Sequence, residues 1–284
     1  LTTGITNLNS DPLLLPYVGR FRAATASGFP AFGPANSTNV GGPFDLVEAL
    51  AFADMNADSF LDLVVGMGSG QSFVMLGDGS GASTTSVNFG PGGGDVSSLA
   101  VADLNGDGYM DIVAGNSAGA VYYLNDTIGG FGSANNITGP VNVNVLALAD
   151  LNGDGVPDLV VGQNGGTSQS YINNGLSSPS FTSHGTLSAT DDIVALDIAD
   201  FDNDGALDVA VAVYGGQSFV AINDGTGQFV NFLDFGGPFE DATAVAMGDL
   251  DGDGFPEVVQ AVDAGQFYVQ YNDGFGTGFS TSMP

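Results

Sequence analysis

The stretch Asp103-Leu-Asn-Gly-Asp-Gly-Tyr-Met-Asp111 decides the fold, because close copies of it recur along the chain. The five copies, called loops 1 to 5, occupy residues 54–62, 103–111, 150–158, 200–208 and 249–257. Their first residues are separated by 49, 47, 50 and 49 positions. So regular a period indicates an array of one repeated supersecondary unit.

The nine positions of this motif combine the groups that a hard cation prefers. Side-chain oxygens occupy positions 1, 3, 5 and 9, and calcium takes about six to eight oxygens from carboxylates, amides and backbone carbonyls. Glycine at position 6 permits the sharp reversal of a compact loop. Ser59 replaces this glycine in loop 1, so we expect that loop to be strained or reshaped. The backbone carbonyl of position 7 is a further predicted ligand.

The sequence therefore predicts five calcium sites, one in each loop. The predicted ligands, at positions 1, 3, 5, 7 and 9, are Asp54, Asn56, Asp58, Phe60, Asp62, Asp103, Asn105, Asp107, Tyr109, Asp111, Asp150, Asn152, Asp154, Val156, Asp158, Asp200, Asp202, Asp204, Ala206, Asp208, Asp249, Asp251, Asp253, Phe255 and Glu257.

Two other interpretations of the motif are less favoured. An EF-hand needs a glutamate at position 12 and a helix on each side, whereas the flanking sequences here alternate as strands do. Position 12 is occupied by Val65, Ala114, Val161, Val211 or Gln260. Aspartate, asparagine and glycine also cluster in ordinary turns, but an acid at position 9 of all five copies favours a metal loop.

Composition narrows the classes of partner. The 284 residues include 32 acids and two basic residues, so the formal net charge is −30. Without a basic surface to release counterions, we expect neither nucleic acid nor an anionic membrane as a partner. Cysteine is absent, so packing and metal have to stabilise the fold. No apolar run approaches the roughly 18–20 residues of a membrane span, and the start at Leu1 leads us to expect a processed or trimmed chain.

Each repeat unit is predicted to form four short strands. A run of alternating bulky and small residues precedes the motif, as in Leu99-Ala-Val-Ala102, and its small face lets neighbouring sheets approach closely. A second apolar strand follows the motif (residues 112–114), and a Gly-rich turn leads to a third (residues 120–124). An Asn/Asp/Gly turn then leads to a fainter, polar fourth strand. Four-stranded sheets repeated radially form a β-propeller, and no segment has helical periodicity.

A sixth, degenerate copy of the motif opens the chain at residues 7–15. Gly19 lies at the position of this unit that Gly66 occupies in the next one. Its position 9 is Leu15, so we expect no calcium there. The predicted fold is all-β, a single β-propeller domain over residues 1–284 with six four-stranded blades; seven blades or an open arc are the alternatives. The approximate repeats are 1–45, 46–94, 95–141, 142–190, 191–239 and 240–284.

The pattern D-x-[DN]-x-D-G-x-x-D between apolar strands, accompanied by Phe-Gly pairs, resembles the FG-GAP/VCBS repeats of integrin α-like propellers. The pairs are Phe32-Gly33, Phe89-Gly90, Phe131-Gly132, Phe235-Gly236 and Phe275-Gly276. The resemblance covers nearly the whole chain and implies a propeller with calcium loops. Integrin-type propellers usually have seven blades, whereas six repeats are counted here. Because this family includes adhesion proteins, lectins and polysaccharide lyases, the resemblance leaves the function open.

The residues favour a non-enzymatic module, calcium-stabilised and structural or adhesive, at an extracellular or cell-surface location. Catalysis would rest on carboxylates that are mostly assigned to calcium, and the only histidine, His184, is interpreted as a surface turn residue. A carbohydrate-binding lectin is the alternative, and a polysaccharide lyase is less favoured because Arg20 and Arg22 alone would neutralise an acidic sugar. The candidate sugar-stacking residues are Tyr122, Tyr123, Tyr171, Tyr214, Tyr268 and Tyr271.

The ends of the repeat array predict the partners. The units start at a first strand and end near a fourth, so the ring closes by face packing alone or stays open. An open end completed by another copy of the chain predicts a homo-oligomer or a filament; an extracellular protein or a glycan is the alternative partner. Asn36, Asn125 and Asn136 begin Asn-x-Ser/Thr triplets and are candidate glycosylation sites.

Overall fold

The computed structural model describes residues 18–19, 46–79, 85–90, 95–126, 130–188, 191–263 and 265–280. Every regular element in these ranges is a β-strand. The strands are β1 (Val18–Gly19), β2 (Val47–Ala53), β3 (Asp62–Met67), β4 (Phe73–Leu76), β5 (Thr85–Asn88), β6 (Ser98–Ala102), β7 (Asp111–Asn116), β8 (Gly119–Tyr123), β9 (Asn135–Ile137), β10 (Val143–Ala149), β11 (Asp158–Gln163), β12 (Ser168–Asn173), β13 (Phe181–Ser188), β14 (Asp192–Ala199), β15 (Asp208–Asn223), β16 (Phe229–Gly248), β17 (Glu257–Val262) and β18 (Gln266–Gln270). A helix long and apolar enough to span a membrane is absent from these ranges.

The strands form four antiparallel sheets in which the spatial order follows the chain order. The orders are β1-β2-β3-β4-β5, β6-β7-β8-β9, β10-β11-β12-β13 and β14-β15-β16-β17-β18. Each sheet is therefore a meander of neighbouring strands. The prediction of an all-β chain built from four-stranded antiparallel units is confirmed for β2–β5, β6–β9 and β10–β13.

The nine-residue motif connects the first strand of each unit to the second. Ala102, the last residue of β6, pairs with Asp111, the first residue of β7. The equivalent pairs in the other units are Ala53 with Asp62, Ala149 with Asp158, Ala199 with Asp208, and Gly248 with Glu257. Position 9 therefore begins the second strand in every described unit, and the loop lies at one end of its sheet.

The last two units are continuous with each other. The first half of β15 pairs with β14, and its second half pairs with β16. The 20-residue β16 then pairs with β15 through its first half and with β17 through its second half. One strand thus serves as the fourth strand of one unit and the first strand of the next.

Successive sheets pack face to face, because alternate residues of a strand point to opposite faces. In β7, Ile112 and Ala114 lie in the core shared with the first sheet, whereas Val113 lies in the core shared with the third. In β11, Val161 faces the second sheet and Val160 faces the fourth. Full burial of each such valine stabilises the fold by about 1.5–3 kcal/mol.

The first strands of neighbouring units lie beside one another, in the order β2, β6, β10, β14 and β16. Small side chains make this approach feasible: Ala49, Ala51 and Ala53 of β2 are all buried. The predicted close approach of small-residue faces is therefore confirmed.

The last sheet presents an apolar face. Position 2 of the motif is buried in loops 1 to 4 but is 60% exposed at Leu250 of loop 5. Phe267, which pairs with Ala261 across β17 and β18, is 71% exposed. A further unit packed on this face would bury these side chains as the earlier units bury theirs.

Most of the predicted first repeat lies outside the described residues, including residues 7–15, Phe32-Gly33 and Asn36. Only Val18–Gly19 of this repeat is described. These two residues pair with Ala51 and Leu50 of β2, so β1 extends the edge of the first described sheet.

Gly162 offers a test of the face-to-face packing. A Cβ added there would lie 2.6 Å from Ile193 Cγ2 of the next sheet and 2.7 Å from Val145 Cγ1. We expect Gly162→Ala to destabilise the protein by about 1–3 kcal/mol through overpacking, measured by thermal denaturation.

The matched control is Gly248→Ala, because an added Cβ meets nothing within 4 Å at this strand residue. Its melting temperature should stay close to that of the parent protein. Equal stability of the two variants would contradict the proposed tight contact between sheets.

Candidate metal centre

All five loops share one network of backbone hydrogen bonds. In loop 2, the N–H of Gly108 donates to Asp103 Oδ2 at 2.8 Å, and the N–H of Tyr109 donates to Asp107 Oδ1 at 2.9 Å. The N–H of Asp107 donates to Asn105 Oδ1 at 3.0 Å. Equivalent bonds recur in loops 1, 3, 4 and 5. The backbone therefore orients the oxygens of positions 1, 3 and 5 in the same way each time.

The acid at position 9 is fully buried in every loop. In loop 2, Asp111 Oδ2 accepts the N–H of Leu104 at 3.0 Å, and Oδ1 accepts the N–H of Asn125, beyond the end of β8, at 2.8 Å. Loops 1, 3 and 4 have the same two bonds. Position 9 thus ties the start of its loop to the end of the third strand.

Loops 4 and 5 bring the predicted ligands of positions 1, 3 and 9 together. Asp200, Asp202 and Asp208 each offer a carboxylate oxygen within 4.8 Å of the other two. Asp249, Asp251 and Glu257 form the same arrangement in loop 5. Such a set of carboxylate oxygens fits a hard divalent cation such as calcium. Glu257 Oε1 strengthens the fit, because it is buried and has no hydrogen-bond partner.

Loops 1 to 3 differ at position 3, where an asparagine replaces the aspartate. Its Oδ1 accepts a backbone N–H, and its Nδ2 donates to the position-5 carboxylate, as Asn105 does to Asp107 Oδ2 at 3.0 Å. Asn56 and Asn152 repeat this contact. These loops can therefore offer an amide oxygen where loops 4 and 5 offer a carboxylate. The ligand roles of positions 5 and 7 stay predictions in all five loops.

Burial changes the proton affinity of position 9. It raises the pKa of Asp111 and Asp158 to about 6 and that of Asp208 to about 7. Two backbone N–H donors oppose this rise in pKa, and the carboxylates of the same loop add to it. Burial raises the pKa of Asp62 as well. A bound cation would favour the ionised form of these groups and so lower the pKa again.

The loops need left-handed backbone at two positions, not one. Gly106 and Gly108 have φ values of 72° and 89°, and an added Cβ would meet nothing within 4 Å at either, so conformation rather than space requires glycine. Loop 1 has Ala57 at 58° and Ser59 at 71°. The expected strain at Ser59 is confirmed, and the structure adds a requirement at position 4 that the prediction does not include. The signal was available, because position 4 is glycine or asparagine in the other loops.

The sequence predicts only a turn role for four asparagines that follow the motif, but the structure buries them. They are Asn125, Asn173, Asn223 and Asn272. Each donates its side-chain amide to a carbonyl of the preceding loop, for example Asn125 Nδ2 to the Met55 carbonyl at 2.6 Å. This bonding also removes Asn125 as a candidate glycosylation site, since its amide is buried and committed. Asn136 is exposed.

The candidate sugar-stacking tyrosines divide into two groups. Tyr122, Tyr123 and Tyr171 are core residues, and the Tyr122 hydroxyl donates to the Pro179 carbonyl at 2.8 Å. Their rings cannot stack on a ligand in the folded protein, so this prediction is wrong for them. The other three, Tyr214, Tyr268 and Tyr271, are exposed or half-buried.

Relief of strain in loop 1 provides a stability test. We expect Ala57→Gly and Ser59→Gly each to stabilise the protein by about 1 kcal/mol, since a left-handed non-glycine residue costs about 1–2 kcal/mol. The measurement is thermal denaturation. Ala206→Gly is the control, because position 7 lies outside the left-handed region, and it should destabilise slightly. Destabilisation by either loop 1 substitution would contradict the conclusion that the left-handed backbone of loop 1 is strained.

The raised pKa values predict a pH dependence. Without calcium, the folded protein binds more protons than the unfolded chain between about pH 4 and pH 7, because an unfolded aspartate has a pKa near 3.9. Stability therefore falls as the pH rises through this window. We expect the melting temperature in chelator to increase from pH 8 to pH 5, and saturating calcium to abolish or reverse that trend. A chelated protein that melts at a lower temperature at pH 5 would contradict this assignment.

Two solved structures share this fold. One is an Agrocybe aegerita lectin described as recognising non-reducing terminal N-acetylglucosamine, with 21% identity and a TM-score of 0.55 over 82% of this chain and 66% of that chain. The other is BBS1N in complex with ARL6DN, with 17% identity and a TM-score of 0.53 over 82% of this chain and 65% of that one. The chain thus spans slightly less than two thirds of either relative. At these identities, the likeness shows a β-propeller-like fold alone.

The sequence comparison agrees with the repeats of the nine-residue motif. No curated protein matches the sequence. The FG-GAP-like repeat profile matches four overlapping segments, residues 54–114, 105–161, 150–211 and 200–260, which contain loops 1 to 5. These segments cover well over half of the chain and confirm the resemblance inferred from the motif. The chain therefore belongs to the FG-GAP-like repeat family.

Proposed function

We propose that the chain is an extracellular, non-enzymatic β-propeller module in which five calcium ions stabilise a structural or adhesive surface. One observation carries this proposal: all five loops bury an acid at position 9, and that acid accepts the N–H of position 2 of the same loop. Chemistry repeated in this way suits a stabilising role for the whole array better than a single reactive centre.

Calcium would act on the charge of the loops. Each loop carries three or four carboxylates, 17 in all, and these repel one another strongly at short distance. The oxygens of positions 1, 3, 5 and 9, with the position-7 carbonyl, would hold the ion. Five bound ions would change the formal net charge from −30 to −20. A ligand that binds only the folded state stabilises it by mass action.

The position of the remaining titratable groups supports a non-enzymatic role. His184, the only histidine, is an exposed residue of β13. Asp103 already accepts three backbone N–H groups, and Asp107 accepts the N–H of Tyr109 and the side-chain amide of Asn105. These bonds orient both carboxylates for a cation. General acid–base catalysis would need groups whose lone pairs are free at the reacting atom.

The array also has an end that can accept a further unit. The exposed Leu250 and Phe267 lie on the last sheet, and residues 1–45 are about one repeat long. Packing of that repeat on the last sheet would close a ring of six blades. Packing of a second copy would instead extend the array, and a head-to-tail contact that does not close builds a filament.

Carbohydrate binding is the second candidate function. An open groove of about 510 Å³ lies between loops 3 and 4 and is lined by Asp150, Gly153, Asp204, Gly205 and Asp224 among others. The carboxylates and the glycine backbone that line this groove suit hydrogen bonds to sugar hydroxyls. The A. aegerita lectin, which has a similar fold, is described as recognising a terminal sugar.

Asp107→Ala tests the calcium role. Asp107 is a position-5 residue that bonds only within loop 2. We expect the variant to melt at a lower temperature in calcium, with a loss of about 2.7 kcal/mol when calcium exceeds its Kd about 100-fold. In chelator the change should be small, because relief of carboxylate repulsion offsets the lost Tyr109 contact.

Asp263→Ala is the matched control, since it removes one exposed aspartate outside the loops. Equal losses for Asp107→Ala in calcium and in chelator would contradict the metal role of loop 2. Electron microscopy of the protein in millimolar calcium, and again after chelation, then separates filaments from dispersed discs. Binding of dispersed protein to a glycan array would support the lectin instead.

A further inference from the structure

The buried asparagines form bridges between neighbouring loops. The N–H of Asn173 donates to Asp158 Oδ1 of loop 3 at 2.9 Å, while its side-chain Nδ2 donates to the Leu104 carbonyl of loop 2 at 2.9 Å. The same Nδ2 also donates to the Pro157 carbonyl at 3.2 Å. One side chain, 1% exposed, thus holds two consecutive loops together.

These bridges join the position-9 carboxylates into one hydrogen-bonded chain. The N–H of Leu104 donates to Asp111 at 3.0 Å, and the N–H of Asn125 donates to the same carboxylate at 2.8 Å. Asn125 then donates to the Met55 carbonyl at 2.6 Å, and the N–H of Met55 donates to Asp62 at 2.7 Å. Three buried carboxylates of loops 1, 2 and 3 are thereby connected without a break.

The chain continues in the other direction. Asn223 donates its N–H to Asp208 at 2.8 Å and its Nδ2 to the Leu151 carbonyl of loop 3 at 2.8 Å. Asn272 donates its Nδ2 to the Phe201 carbonyl of loop 4 at 3.0 Å. All four junctions between consecutive loops therefore carry the side-chain bond to the preceding loop, and the first three also carry the backbone bond to position 9.

The first described unit has a different residue at this point. Gly77 occupies the equivalent place, and its N–H still donates to Asp62 Oδ1 at 2.7 Å. It has no side chain that could reach a preceding loop. The unit before it is the one whose degenerate motif is predicted to lack calcium. The bridging asparagine is therefore replaced by glycine at the junction whose preceding unit is predicted to lack a calcium loop.

We propose that these asparagines couple neighbouring calcium loops, so that an ion in one loop raises the affinity of the adjacent loop for calcium. The proposal rests on the calcium role given above. An ion that fixes position 9 of loop 3 also fixes the backbone of Asn173, whose side chain holds the position-2 peptide of loop 2. Part of the ordering that loop 2 needs is then already complete. The effect is reciprocal, because coupling free energies act equally in both directions.

A double-mutant cycle on loops 2 and 3 tests the coupling. Asp154→Ala removes a predicted ligand of loop 3, and Asn173→Ala removes the bridge but keeps its backbone N–H. Hydrogen exchange of peptides covering residues 103–111, followed across a calcium titration, reports the calcium midpoint of loop 2 alone. With Asn173 present, Asp154→Ala should shift this midpoint to about two- to tenfold higher calcium, the range expected for one hydrogen bond. With Asn173→Ala, the shift should disappear.

The control is Asn174→Ala, which alters the adjacent exposed turn residue; its hydrogen bonds run to Leu176 and Ser180. This background should retain the full shift. If Asn173→Ala fails to fold, the same cycle at the next junction uses Asn125→Ala and Asp107→Ala, with peptides covering residues 54–62.

The possible outcomes separate the two proposals. A shift of equal size with and without Asn173, or no shift in its presence, overturns the coupling while calcium binding stands. Loops that show no response to calcium at any concentration overturn the calcium role itself.

Discussion

The buried carboxylate at position 9 is the constraint on which the rest of the structure depends. Burying a charge is costly unless partners compensate for the lost water. In loops 1 to 4, two backbone N–H groups supply part of that compensation. The pKa of Asp208 nevertheless rises to about 7, so the compensation is incomplete. A cation beside the same carboxylate would complete it, so one residue would then serve both the fold and the proposed metal site.

Directional bonds also set the placement of one unit on the next. The cores between sheets consist largely of valine, alanine and leucine, whose contacts are non-directional. At the loop end, asparagine bridges fix each of the last four units against its predecessor. Near the opposite end of the first strands, Ser97 Oγ donates to the Val143 carbonyl and Asn144 Nδ2 to the Ile193 carbonyl. Each of these two junctions is thus held at both ends, and apolar packing fills the space between.

The sequence predicted the parts that repeat locally. The strand order, the loop boundaries and the clustering of positions 1, 3 and 9 follow from a strict period and from the chemistry of short motifs. The sequence could not distinguish a turn asparagine from a bridging one, because the partner of Asn173 lies 69 residues earlier at Leu104. Nor could it distinguish buried from exposed tyrosines, since Tyr171 and Tyr214 both lie in apolar strands. Such contacts depend on how neighbouring units pack against one another. The repeat period of the sequence alone does not specify this packing.

The continuous strand β16 has a mechanical consequence. At the junction between the last two units, one strand passes from the fourth position of one sheet to the first position of the next through a bulge at residues 236–239. A tensile load that separates these units must break the ladder on one side of that strand. They should therefore yield together as one cooperative block. The second and third sheets are linked instead by residues 138–142, which form no strand, so they can peel apart one after the other.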